Sequence, residues 1–222
     1  KVIVGQNKMI DQLLVAVLSN GHVLLEGVPG VAKTISAKLL AKTLSLDFSR
    51  IQFTPDLMPS DIIGTSVFDL SKSTFEFKKG PIFSNFVLID EINRAPAKTQ
   101  AALFEVMEER QITADGTTYV LEKPFLVIAT QNPIEQEGTY RLPEAQLDRF
   151  LFKINIEYPN LAEEIHIIQK ENELQSRDKM SAIATIISQS HIIEFQELVK
   201  QILIEQNLIE YIAKIVLNTR EN

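Results

Sequence analysis

His22-Val23-Leu24-Leu25-Glu26 runs into Gly27-Val28-Pro29-Gly30-Val31-Ala32-Lys33-Thr34, and the residues after that threonine keep helical spacing through Ile35, Leu39 and Leu40. A short apolar run bounded by glycines suits a strand buried on both faces of a parallel sheet. Strand, glycine-rich turn and helix in that order are the setting a phosphate-binding loop requires. Small residues let backbone N–H groups turn inward around phosphates, and the positive end of the following helix faces them. Lys33 is then expected to reach the β- and γ-phosphates, and Thr34 to place its hydroxyl on Mg²⁺. The usual pattern has glycine before the lysine, where this chain has Ala32. A residue leading into a helix has negative φ, which alanine tolerates. A structural glycine turn with a surface lysine is the plainer alternative.

Working outward, Met9, Ile10, Leu13, Leu14 and Val17 recur at helical spacing after Val4-Gly5-Gln6, and Asn20-Gly21 ends that helix. Arg50-Ile51-Gln52-Phe53, Phe86-Val87-Leu88-Ile89-Asp90, Phe125-Leu126-Val127-Ile128-Ala129-Thr130 and Phe152-Lys153-Ile154-Asn155-Ile156 read as further strands, with a helix over 98–109. Strands alternating with helices imply a doubly wound α/β sheet. After Tyr158-Pro159 the character changes. Asn160 with Glu163 and Asn207 with Glu210 resemble capping boxes, and Phe195, Leu198, Val199, Ile202 and Leu203 form an apolar helical face between them. We expect an α/β domain over 1–158 and a small all-helical domain over 159–222.

The 222 residues are 45% hydrophobic, enough for one large core and a small second unit. No apolar run reaches the ~20 residues of a membrane span, and the N-terminus lacks a signal-peptide layout. A soluble protein in the cytoplasm is the expectation. The absence of cysteine excludes thiolate catalysis and cysteine-ligated metals, and a net charge of -7 argues against a broad nucleic-acid footprint.

Chemistry concentrates at strand ends. Asp90-Glu91 delivers two carboxylates to the carboxyl end of a core strand, where open α/β sheets place ligands. Asp90 is expected to hold Mg²⁺ through its water shell, and Glu91 to orient the water that attacks a γ-phosphate. An acidic helix N-terminus favoured by the dipole is the alternative. Thr130-Gln131-Asn132-Pro133 ends the next strand, so Asn132 could hold the same water, although Asn-Pro is also an ordinary turn signal. Arg149, in Leu147-Asp148-Arg149-Phe150, could cross a subunit boundary to neutralise γ-phosphate charge, or serve in a surface ion pair.

These elements in this order resemble the AAA+ ATPases, and their wording is closer still to the MoxR family. The segments that carry the resemblance are Glu26 to Thr34, Gln52-Phe53-Thr54-Pro55-Asp56-Leu57-Met58-Pro59-Ser60-Asp61, Asp90-Glu91-Ile92-Asn93-Arg94-Ala95, and Leu142-Pro143-Glu144-Ala145-Gln146-Leu147-Asp148-Arg149-Phe150. The resemblance implies an AAA+ core with a helical lid. It also implies Val4, Gly5 and Gln6 near the adenine, the loop from Gly27 to Ile35 around the phosphates, a sensor Asn132 and an arginine finger Arg149. ATP and Mg²⁺ follow as cofactors, a hexameric ring as the assembly, and a client protein, von Willebrand factor A domain proteins being the implied class. Two hairpins are expected, one over 64–81 and one turning at Asp115-Gly116. The family's further lid arginine has no counterpart before Arg220-Glu221-Asn222, so none is assigned.

The function implied is an ATP-driven remodeller. A DNA-acting motor of the same clade, disfavoured by the acidic charge, and a nucleotide-gated module with little turnover are the alternatives; Glu91 and Arg149 argue against the last. His22, His166 and His191 lie apart without metal spacing and read as structural, Met58 and Met107 as packing, and Arg94 and Arg141 as secondary candidates.

Overall fold

The computed structural model describes residues 5–27, 33–132, 142–173 and 184–220. Its centre is a five-stranded sheet in the order β2-β5-β8-β1-β9, built from β1 (His22–Gly27), β2 (Phe48–Gln52), β5 (Phe86–Asp90), β8 (Leu126–Gln131) and β9 (Phe150–Ile156). Every neighbouring pair is parallel. Side chains alternate between the faces, so Leu24, Val87, Ile89, Val127 and Ala129 join one core while Val23, Leu25, Phe86, Leu88, Leu126 and Ile128 join the other. Helix α4 (Ala97–Glu109) covers the first face through Leu103, Phe104, Val106 and Met107. The second is covered by α1 (Asn7–Leu18) through Met9, Leu13, Ala16 and Val17 and by α2 (Lys33–Thr43) through Ala37 and Ala41. Burial on both faces explains why the central strands are continuous apolar runs, as the doubly wound reading requires.

A short helix α3 (Pro59–Ile63) leads into the first hairpin, β3 (Gly64–Asp69) with β4 (Thr74–Lys79). The second, β6 (Gln111–Ala114) with β7 (Thr117–Val120), turns at Asp115 and Gly116, both at positive φ as its two-residue turn demands. The hairpins lean on each other. Phe77 stacks on Tyr119 with ring centroids 4.8 Å apart, Phe83 meets both rings edge-on, and Ser66 donates to Asp115.

Short α5 (Glu144–Leu147) precedes β9, and among the described residues three helices follow the sheet: α6 (Leu161–Glu173), α7 (Gln189–Val199) and α8 (Gln206–Asn218). The Asn160–Glu163 box forms: Asn160 Oδ1 accepts from the N–H groups of Ala162 and Glu163, and Glu163 Oε2 accepts from that of Asn160. Asn207 and Glu210 do not repeat it. Helix α8 already starts at Gln206 behind Glu205, which places Asn207 inside the first turn with its Oδ1 on the N–H of Leu208. The expected face of α7 also differs: the helix stops at Val199, Ile202 and Leu203 lie beyond it, and Phe195, Leu198 and Val199 are exposed. The buried positions are Ile192 and Gln196, because α7 docks on α1, with Gln196 Nε2 donating to Val17 O at 2.6 Å. Met58 is likewise no packing residue; it sits before α3 at 62% exposure, whereas Met107 is buried. None of the described helices is long and apolar enough to cross a membrane.

Candidate functional site

Parallel strands send their carboxyl ends to one edge, and the sheet order sets β8 between β1 and β5 there. Gly27, Asp90 and Gln131 therefore end side by side, at the reversal of strand order where open α/β sheets bind ligands. At Gly27 a Cβ would stand 2.7 Å from the Ile156 carbonyl oxygen, so the strand can leave the sheet here only without a side chain. Val28, Pro29, Gly30, Val31 and Ala32 lie outside the described residues, as do Val4 and Arg141. Lys33, Thr34 and Ile35 open α2, half-buried.

Lys33 Nζ donates to Gly27 O at 2.6 Å. Burial holds its ammonium below the ordinary lysine value, while the negative charges of Asp90 and Glu91 pull it back up. That coupling brings the three sequence-predicted charges into one electrostatic neighbourhood.

The acidic pair is held by Arg50, Gln52 and Thr130, which the sequence reading did not assign, and by Arg94, which it left as a secondary candidate. Arg50 Nε donates to Asp90 Oδ2 at 2.6 Å, from a strand whose register sets Gln52 opposite Asp90. Thr130 Oγ1 donates to Asp90 Oδ1 at 3.3 Å and accepts the Glu91 N–H at 3.0 Å. Glu91 itself adopts left-handed backbone, φ 57 and ψ 52, turning its side chain away from the strand direction. Its Oε2 then receives Gln52 Nε2 and Arg94 Nε, each at 3.0 Å. Asn132 follows β8 on the same edge.

Arg149 is not at that edge. It stands just before β9, paired with Glu108 at the end of α4, and lines a cleft with Asn20, His22 and Arg110 at the amino end of the sheet. The length of β1 separates the two places, roughly 17 Å at about 3.3 Å per residue. In the same region buried His22 donates from Nε2 to Met107 O and accepts the Val127 N–H at Nδ1, and burial pushes its pKa down to about 4. This is the structural histidine expected from sequence.

Gly5 and Gln6 line a third place, a cleft of about 330 Å³ between the start of α1, the end of β9 and the start of α6. Gly5, at φ +75, abuts Glu163, whose carboxyl carbon would lie 2.8 Å from an added Cβ.

The residues present fit a magnesium nucleotide by their chemistry. Thr34 hydroxyl and Asp90 carboxylate are hard oxygen donors, and Lys33 offers an ammonium that suits phosphate. Among the described residues no cluster of three or more His, Cys, Asp or Glu could hold a metal alone.

The chain resembles known proteins. The ATPase family associated with various cellular activities (AAA) matches residues 22–152. Chaperone MoxR1 of Mycobacterium tuberculosis is 48% identical over all of this chain and 57% of its own length. The uncharacterized protein YeaC of Bacillus subtilis is 46% identical over all of this chain and 68% of its own. The crystal structure of a candidate ATPase from Cytophaga hutchinsonii superposes with a TM-score of 0.89 at 50% identity, covering 98% of this chain and 65% of the other. The chain thus spans little more than half of MoxR1 and about two thirds of the other two.

Proposed function

The chain belongs to the MoxR family of AAA ATPases, and from that membership we propose that it hydrolyses ATP to remodel or mature a partner protein. The observation that carries the reading is the meeting of Lys33, Asp90 and Glu91 at the carboxyl edge of the sheet, with Lys33 in the field of both carboxylates. Phosphoryl transfer asks mainly for positioning and charge stabilisation, and these groups are what that demands. Lys33 would leave Gly27 O for the phosphates, taking the role the residue type allows. Thr34 and Asp90 would hold Mg²⁺, which when bound neutralises phosphate charge. Glu91 would orient the attacking water, assisted by Asn132, and its two donors, Gln52 and Arg94, would set where the carboxylate points.

Arg149 supports an assembly of several subunits, a hexameric ring in our proposal. An arginine at the amino edge cannot reach phosphates at the carboxyl edge of its own sheet, so it would serve a neighbour's site. The two aromatic-linked hairpins would carry nucleotide-driven motion to a client, for which von Willebrand factor A domain proteins are the proposed class.

Two variants test the reading. Lys33→Ala should lose ATP binding by calorimetry, and Glu91→Gln should bind ATP yet release no phosphate. Equal affinity of wild type and Lys33→Ala for ATP would refute it.

A further inference from the structure

Both carboxylate oxygens of Asp90 are engaged by side chains, Oδ1 by the Thr130 hydroxyl at 3.3 Å and Oδ2 by Arg50 Nε at 2.6 Å. Strand register makes the second contact. Arg50 stands opposite Leu88 on the edge strand β2, and Asp90 lies two residues beyond Leu88, so both side chains share the face that α2 covers and at whose edge Lys33 and Thr34 begin. The Arg50 side chain is 53% exposed and that of Asp90 11%. An ion pair with so exposed a partner adds little to stability, so its weight falls on what the buried carboxylate can still bind.

We infer that Arg50 is a specificity-determining residue for the divalent ion, favouring Mg²⁺ over the larger Ca²⁺ by keeping Asp90 Oδ2 engaged; this stands on the nucleotide reading above, in which Thr34 and Asp90 hold the metal. The two ions ask for different things. Mg²⁺ gives up water reluctantly and keeps several waters beside one or two carboxylates and the phosphates, whereas Ca²⁺ collects about six to eight oxygens, often both from one carboxylate. A carboxylate that already accepts on both oxygens, one of them from a guanidinium, suits a hydrated ion better than a direct grip by two oxygens. Like charge works in the same direction. The guanidinium repels an ion in direct contact with Asp90 more strongly than one held farther off through water.

The test compares ATP dissociation constants with Mg²⁺, with Ca²⁺ and with EDTA, by calorimetry in the Glu91→Gln background so that no ATP is consumed. Arg50→Met keeps an unbranched side chain and removes its charge and its donors. The preference for Mg²⁺ over Ca²⁺ should then fall by about three- to tenfold, the range of one hydrogen bond, through tighter binding with Ca²⁺. Arg50→Lys should keep the parent's preference, because its ammonium has the reach of Nε and the same charge. A preference untouched by Arg50→Met, or lost equally in Arg50→Lys, would overturn the assignment while leaving the nucleotide site standing. Equal weakening by Arg50→Met in all three media would make Arg50 a phosphate contact and overturn it as well. No ATP binding by the parent, or an Asp90→Asn protein that responds to Mg²⁺ as the parent does, would overturn both the assignment and the reading beneath it.

Discussion

Thr130 hydroxyl is the joint on which the acidic pair turns. It is buried, donates to Asp90 and receives the Glu91 N–H, so it fixes a residue whose left-handed backbone an L side chain rarely holds unaided. Thr130→Val keeps the shape and removes both hydrogen bonds. It should lower kcat by roughly tenfold to a hundredfold, because small displacements of positioning groups are costly. ATP affinity should stay within about threefold, since no phosphate contact is lost. A raised Kd with unchanged kcat would show instead that Thr130 serves binding. At this scale the sequence displayed Lys33, Asp90 and Glu91 in their local motifs. Arg50, Gln52 and Thr130 were hidden, because strand register across β2, β5 and β8, rather than proximity in the chain, brings them in.

Elements were legible where periodicity and flanking turns agreed. The central strands, α1, α4 and both hairpins fall where expected, since burial on two faces writes continuous apolar runs and Asp115-Gly116 writes a turn. The C-terminal helices were less so. The apolar spacing of Phe195, Leu198 and Val199 resembles a buried face, yet docking of α7 on α1 chose Ile192 and Gln196. Asn207 has cap chemistry, but helix α8 had begun before it. His22 shows how tightly the first group is joined, since one neutral imidazole links β1 to the end of α4 and to β8. Its pKa is about 4 in the folded chain against 6.5 in an unfolded one. Above 6.5 both states are neutral and His22 adds no pH dependence. As pH falls from 6.5 toward 4 only the unfolded state gains the proton, and stability drops by up to about 1.4 kcal/mol per unit. His22→Gln should cost stability at pH 7.5 but flatten that slope, read from urea midpoints at pH 7.5 and 5. Parallel slopes would contradict a buried neutral histidine.

At the scale of the whole molecule, the decisive fact is that Lys33 and Arg149 occupy opposite edges of one parallel sheet. Under the proposed function a complete site then takes two copies, the first giving its carboxyl edge and the second its amino edge. The pair that Arg149 makes with Glu108 does not oppose this, because both partners are substantially exposed and such pairs are worth little. Lys33→Ala should remove the proposed phosphate site but leave Arg149 for a neighbour. Arg149→Ala keeps its phosphate site but has nothing to offer across the boundary, and should lose about a thousandfold or more in turnover with normal ATP binding. Each variant alone should be inactive. Mixed in equal amounts and allowed to exchange, they should form intact sites wherever an Arg149→Ala subunit's phosphate edge meets a Lys33→Ala subunit's arginine edge. Random head-to-tail assembly makes that about one interface in four, so the mixture should recover about a quarter of the wild-type rate. Recovery should vanish on dilution below the assembly concentration. A mixture that stays inactive at every ratio would mean that Arg149 acts within its own chain or not at all.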